Sequence, residues 1–322
     1  MIPIIRLGKK NKIIIIIAAL LLIIAVVLYR LADRYLIEHF EVIVEPSTVA
    51  TGETTFESDQ ETTEEPSTTE AQSDDWNYKD DNQTISIKKV QTGSGSNMVT
   101  YYVADVTLSE SANLSTAFAK NAFGTNIIED TSTIAEGNNA VFAINGDYYG
   151  FRSDGVIIRN GTLYRDEPAR DGLALFSDGT LKAYDEEETS SDALLAEGVT
   201  NTFSFGPVLV TDGEVVGDFS SVKIDKNFGN RSIQEPNPRT GIGIIAPNHF
   251  LFIVVDGRSS ESRGMTLTEF ANLFQELGAT EAYNLDGGGS STMYFMGRIV
   301  NNPLGKGNER GVSDIIYIPK SQ

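Results

Sequence analysis

"FLFIVVDGRSSESRGMTLTEFANLFQELGATEAYNLDGGGSS", residues 250–291, holds two short apolar runs that each end in Asp-Gly, with a helical pattern between them. The spacing predicts a helix over 266–278. Thr266 with Glu269 makes a capping box, Leu267, Phe270, Leu273, Phe274 and Leu277 share one face, and Gly278 stops it. A strand, a helix and a strand in that order imply a right-handed crossover and two parallel strands in one sheet. The same crossover sets Asp256 and Asp286 at the carboxyl ends of those strands, on the sheet edge where ligands gather. The strands are then neighbours at about 4.8 Å or have one strand between them, and at such separations two carboxylates can share acid, base and nucleophile roles on a glycoside.

Asp-Gly pairs also simply cap turns. The "SDGT" and "TDGE" stretches at 177–180 and 211–214 read that way, as hairpin turns with Asp178 and Asp212 structural. What separates Asp286 from them is the run that follows it, Gly287, Gly288, Gly289, Ser290, Ser291 and Thr292. Glycine weakens an element interior by about 0.5–1 kcal/mol, so three in a row call for something that must approach the backbone closely. Their successive N–H groups can converge on an anion, and the hydroxyls add donors. A phosphate or a sugar ring oxygen suits such a cradle. No Gly-Lys-Ser/Thr follows, which excludes a Walker loop, and the spacing is not that of a dinucleotide fingerprint.

Short strands dominate the rest of 80–320: 84–90, 99–108, 140–145, 172–184 as a hairpin, 206–216 as another, 240–245 and 249–257. The first of two further clusters is "AINGDYYGFRSDGV", 143–156, where a strand runs into Asn145, Gly146 and Asp147, followed by Tyr148 and Tyr149. Adjacent tyrosines suit stacking on a sugar face, although core plus rim is the commoner use of such a pair. The second is a set of arginines, Arg239, Arg258, Arg263 and Arg310, whose planar groups match phosphate or carboxylate and whose ordinary use is surface ion pairing. With only His39 and His249 in the chain, a Ser-His-Asp triad and a His-based zinc site are poorly supported.

The 322 residues carry a formal charge of −20. The first forty hold six of the 25 basic groups and two of the 45 acidic ones, leaving 19 against 43 beyond them, a formal −24. Such a chain repels a polyphosphate backbone, so no nucleic-acid partner is expected. The absence of cysteine removes thiol nucleophiles, disulfides and thiolate metal sites together. At the front, 1–12 is basic and 13–28 is an unbroken apolar run that Tyr29 and Arg30 extend. It reads as an uncleaved signal anchor over 13–30, with the domain beyond it extracellular at the cell membrane, because "LYRLADRY" offers no small-x-small site for a signal peptidase. Within 31–79, the piece 31–45 reads as a helical continuation or a juxtamembrane strand, and the Thr/Ser/Glu/Pro-rich 46–75 reads as a disordered stalk. The globular domain is expected over 80–322.

In order, "AINGDYYG", "GPVLV", "PRTGIGI", "VVDGRSSESRGMTLTEFANLF", "AYNLDGGGSSTM" and "RGVSDIIYI" resemble the phosphodiester glycosidase family over roughly 85–319. The resemblance implies an α+β fold of mixed β-sheets with a few helices. It also implies hydrolysis of the bond between a sugar's anomeric carbon and a phosphodiester oxygen, with no obligatory cofactor. The family's motif positions fall on Asn145, Gly146, Arg239, Asp256, Gly257, Asp286, Gly287, Gly288, Gly289, Ser290, Ser291 and Arg310. On this reading Asp286 and Asp256 act at the anomeric carbon, Arg239, Arg310 and the glycine loop hold the phosphate, and Tyr148 and Arg258 add substrate contacts. Asp147 departs from the glycine that the family's animal enzyme has in the corresponding place, although bacterial members often carry an acid there; facing the site, it could alter substrate choice or the acid-base assignment, or bind a cation such as calcium. The expected partner is a phosphodiester-linked glycan of a bacterial surface. Two other classes stay open: a metal-dependent phosphodiesterase with Asp147, Asp256 and Asp286 as ligands, and a non-catalytic polysaccharide-binding or assembly protein.

Overall fold

In the strand Arg239–Ala246 the side that begins at Arg239 continues with Gly241 and Gly243, while Thr240, Ile242 and Ile244 take the other, and this alternation stacks the layers of the fold. A Cβ on Gly241 would come within 2.8–3.0 Å of the rings of Phe270 and Phe274, and one on Gly243 within 2.9 Å of Phe274. The helix Leu267–Glu276 therefore lies directly on this strand, which only glycine permits. On the opposite side Ile242 and Ile244 are buried in the main core and Thr240 bonds to Asn145 of a second sheet.

The computed structural model describes residues 9–44, 71–222 and 231–321. Among them a nine-stranded sheet runs, in spatial order, Glu214–Val215, Val208–Thr211, Glu281–Asn284, Arg239–Ala246, His249–Val255, Val99–Leu108, Gln83–Thr92, Asn77–Lys79, Gln72–Ser73. A five-stranded sheet runs Arg298–Ile299, Met293–Phe295, Ala140–Asn145, Asp314–Pro319, Ser115–Phe118. The two face each other across the core, where Phe142 meets Phe252 with ring centroids 5.1 Å apart. The helix Thr131–Gly137 covers the outer side of the five-stranded sheet through Ile134 and Ala135. The result is an α+β stack of helix, sheet, sheet and helix.

His249–Val255 and Glu281–Asn284 both pair antiparallel with Arg239–Ala246, so they run parallel to each other with one strand between them. Asp256 and Asp286 follow their carboxyl ends on one edge. The helix between them starts at the Thr266 cap, where Thr266 Oγ1 accepts from the Glu269 N–H (3.2 Å) and Glu269 Oε2 from the Thr266 N–H (2.9 Å). Gly278 follows with φ +87°. Leu277, expected on the apolar face, is exposed, because the last turn overhangs the sheet. Both hairpins form. Asp212 and Gly213 take φ +51° and +78°, whereas at the other turn only Gly179 is positive and Asp178 accepts from the Thr180 N–H at 3.0 Å.

Near the N-terminus, Lys9–Tyr35 is one helix, and no part of its apolar span Ile14–Arg34 is buried. The segment 31–45 divides between the end of this helix and the strand His39–Ile43, which pairs antiparallel with Ala122–Thr125. Of the expected stalk, residues 45–70 lie outside the described residues, while Gln72–Ser73 and Asn77–Lys79 bring strands from before residue 80 into the large sheet.

Gly241→Ala should destabilise the chain by about 1–3 kcal/mol, the range for overpacking a filled core. The loss should shrink in a Phe270→Leu background. Urea unfolding followed by the fluorescence of Trp76, the single tryptophan, measures both; equal losses in the two backgrounds would refute the packing argument.

Candidate active site

The backbone that carries Asp286 is held by a side chain from the other sheet. Asn145 Nδ2 donates to the Asp286 carbonyl at 2.7 Å, while Asn145 Oδ1 accepts from Thr240 Oγ1 (2.8 Å) and the Thr292 N–H (3.2 Å). Asn145 is fully buried and supports the site instead of reaching a ligand. Gly146 beside it has no room for a Cβ, which would sit 2.2 Å from Asp314 Oδ1.

Asp286 Oδ2 accepts from Ser290 Oγ at 2.5 Å and from Arg310 Nη2 at 3.1 Å, and Arg310 also donates to Ser290 Oγ. Burial pushes the Asp286 carboxyl above the usual carboxylate range, against the opposing pull of Arg310 and Ser290. Asp256 has neutral company. Its Oδ1 accepts from Asn301 Nδ2 (3.1 Å) and the Asn302 N–H (2.9 Å), and burial raises its carboxyl too, with those amides opposing. Asn301 Nδ2 donates as well to the Ser291 carbonyl at 2.9 Å, so one amide joins Asp256 to the loop that begins at Asp286. The two aspartates therefore belong to one connected set of loops.

The glycine triplet makes room for two arginines and a carbonyl. A Cβ on Gly287 would meet the Pro238 carbonyl oxygen at 2.8 Å, one on Gly288 the Arg258 guanidinium at 3.2 Å, and one on Gly289 the Arg310 side chain at 3.1 Å. Arg258 Nε and Nη2 are steadied by Asn237 Oδ1 at 3.1 and 2.9 Å. The expected convergence of successive N–H groups on an anion is broken within the protein. Gly288 N–H donates to the Pro238 carbonyl (2.9 Å) and Ser290 N–H to that of Gly287 (3.3 Å). The cationic surface over the loop comes from guanidinium groups instead. Ser291 Oγ is buried without a hydrogen-bond partner among the described residues.

Arg239 stands at the same edge but turns to the helix side. Its Nε donates to the Met265 carbonyl (3.0 Å) and its Nη2 to those of Ile233 (2.8 Å) and Glu235 (3.0 Å), and burial with the nearby Arg258 pulls its pKa down to about 10. This guanidinium ties loops together beneath Arg258. Arg263 makes an ion pair with Glu269 at the helix cap (3.0 Å).

In the second cluster the tyrosines divide into rim and core. Tyr149 is buried against Phe118 and Phe123, whereas Tyr148 stacks on Phe151 with centroids 4.7 Å apart. The Arg152 guanidinium lies 5.2 Å from the Tyr148 ring and 5.0 Å from that of Phe205, and its charge acts on Asp286. Asp147 does not face this rim. Its Oδ1 accepts from the Tyr149 N–H (2.9 Å), and its Oδ2 from the Ser204 N–H (3.1 Å) and Arg159 Nη2 (2.9 Å). Arg159, itself 2% exposed, also binds Asp314 Oδ2 at 2.7–2.9 Å. Both oxygens of Asp147 are thus engaged, which removes it as a ligand for a cation beside Asp256 and Asp286. No group of three or more His, Cys, Asp or Glu side chains among the described residues is placed to hold a metal ion.

The profile of the phosphodiester glycosidase family matches residues 138–319, which contain every element of this arrangement. The chain belongs to the phosphodiester glycosidase family. A relative in Bacillus subtilis (strain 168), the SPbeta prophage-derived uncharacterized protein YomE, is 35% identical over 205 residues, covering 61% of this chain and 30% of the relative's length. Among solved structures, the chain is similar to the zebrafish N-acetylglucosamine-1-phosphodiester alpha-N-acetylglucosaminidase catalytic domain auto-inhibited by its pro-peptide. That match has a TM-score of 0.58 at 21% identity, over 74% of this chain and 84% of the other. A hypothetical protein from Synechocystis matches with a TM-score of 0.54 at 16% identity, over 74% and 62%. At these identities the structural matches speak for the fold alone.

For a phosphodiester glycosidase the arrangement offers two unlike carboxyls: Asp286, held by a cation and a hydroxyl, and Asp256, held by neutral amides. Arg152, Arg159, Asn301 and Asp314 went unnoticed as sequence. Asp314 does lie within the quoted "RGVSDIIYI", but a partner 155 residues away leaves no local pattern.

Replacing Arg159 by Met should cost about 3–5 kcal/mol, the usual result of stripping a counter-charge from buried carboxylates. Burial already raises the Asp314 carboxyl above its unfolded value. Protonation therefore favours the folded state, and its help is lost as pH rises through the folded pKa. The deficit of Arg159→Met relative to wild type should accordingly shrink as pH is lowered. Urea unfolding at neutral and acid pH tests this, and a deficit independent of pH would refute it.

Proposed function

We propose that this chain is a membrane-anchored, extracellular hydrolase that cleaves the anomeric carbon–oxygen bond of sugar-1-phosphodiesters, such as N-acetylglucosamine-1-phosphate diesters, on bacterial surface glycans or exopolysaccharides. The observation that carries this reading is the seating of Arg258 over Gly288 and Arg310 over Gly289, directly beside Asp286. A diester phosphate presents two non-bridging oxygens that share one negative charge and that two guanidinium groups can hold, and it becomes more negative as the bond to the sugar breaks. The zebrafish relative's name, with its N-acetylglucosamine-1-phosphodiester substrate, supports the same class. The long apolar helix preceded by basic residues supports the anchoring.

The bond between the anomeric carbon and the phosphate oxygen breaks, its electron pair leaving with the oxygen as a phosphomonoester. Water supplies hydroxyl to the sugar and a proton to the medium or the departing group. Asp286, paired with Arg310, is the carboxyl suited to remain charged next to a carbon that gains positive character. Burial raises both carboxyls, but the hydrogen-bond donors to Asp256 are neutral where Asp286 has Arg310, so Asp256 is the one suited to carry a proton. Tyr148, at the rim against Phe151 and Arg152, is the aromatic side chain placed to meet the sugar. Arg239 acts indirectly, by holding the loops under Arg258.

With a sugar-1-phosphate methyl diester and the full chain, Asp286→Asn and Asp256→Asn should each lower kcat by about two or more orders of magnitude with the fold intact. In oxygen-18 water the label should appear on the sugar. Label on the phosphate would mean a phosphodiesterase, and tight binding without turnover would mean a glycan-binding protein; either would end this proposal.

Arg310 lowers the Asp286 pKa, so Arg310→Gln should raise it. Because the charged form is required, the acidic limb of the kcat/KM profile should move to higher pH. A fall in rate without that move would deny Arg310 its effect on Asp286.

A further inference from the structure

Resting on the anchored reading above, we infer that the catalytic domain docks directly on the outer leaflet of the bilayer, held there by the strand His39–Ile43 that follows the apolar helix. The uncharged stretch 14–29 of the apolar span is about 24 Å of helix at 1.5 Å per residue, short against a hydrocarbon core of roughly 30 Å, which draws the charged end 30–34 down to the outer headgroups. It has no slack. The helix ends at Tyr35, and four residues later the strand His39–Ile43 is paired with Ala122–Thr125 of the domain.

The domain grips the helix end. Asn126 Nδ2 donates to the carbonyls of Asp33 (3.3 Å) and Ile37 (2.9 Å), Lys120 pairs with Glu38, and the Val44 N–H donates to the Asn121 carbonyl at 2.8 Å. Val44 packs on the cluster of Phe118, Phe123, Tyr149 and Ile157. The domain is thus held at Val44, before the low-complexity segment begins, as well as at Gln72–Ser73 on the edge of the large sheet.

Large apolar side chains are exposed on the segment that joins helix to domain. Leu36 is 78% exposed and Ile43 70%, with Ile37, Phe40 and Val42 exposed between them, and Ile128 is exposed two residues beyond Asn126. Most of them lie within the few residues that follow the apolar helix, so lipid is the occupant that continuity provides. Ile128 also lies on Gly311, where a Cβ would be 3.1 Å from it, and the preceding residue is Arg310 on Asp286. The gripped helix end and the candidate active site are thus joined through Asn126, Ile128 and Gly311. The glycans within the site's reach are the membrane-proximal ones.

The chain has no cysteine, so single-cysteine variants label cleanly. Phe40→Cys, Ile43→Cys, Leu21→Cys and Asn272→Cys, each carrying an environment-sensitive dye, are reconstituted as full chains in phosphatidylcholine vesicles with nitroxide-labelled lipids. Asn272 lies on the helix Leu267–Glu276, the opposite outer layer. The proposal expects quenching at positions 21, 40 and 43 and none at 272. Doubling 46–70 should leave energy transfer to a membrane dye unchanged from Ile128→Cys, which lies beyond that segment; a fall there would overturn the docking. Quenching at 21 alone, or cross-links at 43 between two copies, would overturn the docking while the anchor stands. No quenching at 21 would remove the anchor and the docking with it.

Discussion

Everything at the candidate site depends on one buried amide. Asn145 closes the five-stranded sheet and touches three different pieces of chain: Thr240 in the facing sheet, the carbonyl of Asp286, and the N–H of Thr292 beyond the glycines. Both ends of the glycine loop are therefore fixed to both sheets at once. An amide suits this task because it donates and accepts together, and at a fully buried position each of those bonds avoids the cost of an orphaned polar group. Without this clamp the loop would hang from a single strand end, and Asp286 would have no defined direction.

From that anchorage the glycines follow as a steric necessity. Pro238, Arg258 and Arg310 come within about 3 Å of where side chains at 287, 288 and 289 would begin. Two guanidinium groups are thus brought to adjacent points of one backbone, where mutual repulsion must be offset. Asp286 and Asn237 offset it in the present structure, and a bound phosphodiester would do so more fully. The same logic explains why Arg239 and Arg258, close in the sequence sense and in space, differ so much. Arg239 is enclosed by three carbonyls and loses basicity, whereas Arg258 has the loop in front of it.

Buried charge is handled differently one layer away. Asp147, Arg159 and Asp314 form a set with two carboxylates for one guanidinium, wholly removed from water. Such a set is an expensive way to gain stability but a strong way to specify which segments meet. It joins the loop after Ala140–Asn145, the strand Gly155–Arg159 and the strand Asp314–Pro319. The acid at 147 therefore serves the frame on which the site is built, and Tyr148, its neighbour, is left to the rim.

The amino-acid sequence by itself determined the capped helix, the two parallel strands that lead to Asp256 and Asp286, the Asp-Gly hairpins, and the apolar N-terminal helix. All of these arise from alternation, i to i+4 spacing and turn chemistry, which act between residues a few positions apart. Tertiary structure alone decided that Arg239 faces carbonyls, that Asp147 meets Arg159, that Asn301 reaches Asp256 from 45 residues away, and that a strand next to the apolar N-terminal helix pairs with the domain. A hydrogen bond between distant segments imposes no period on either one. Whether an arginine meets a carboxylate, a carbonyl or open solvent is settled only when the layers close around it.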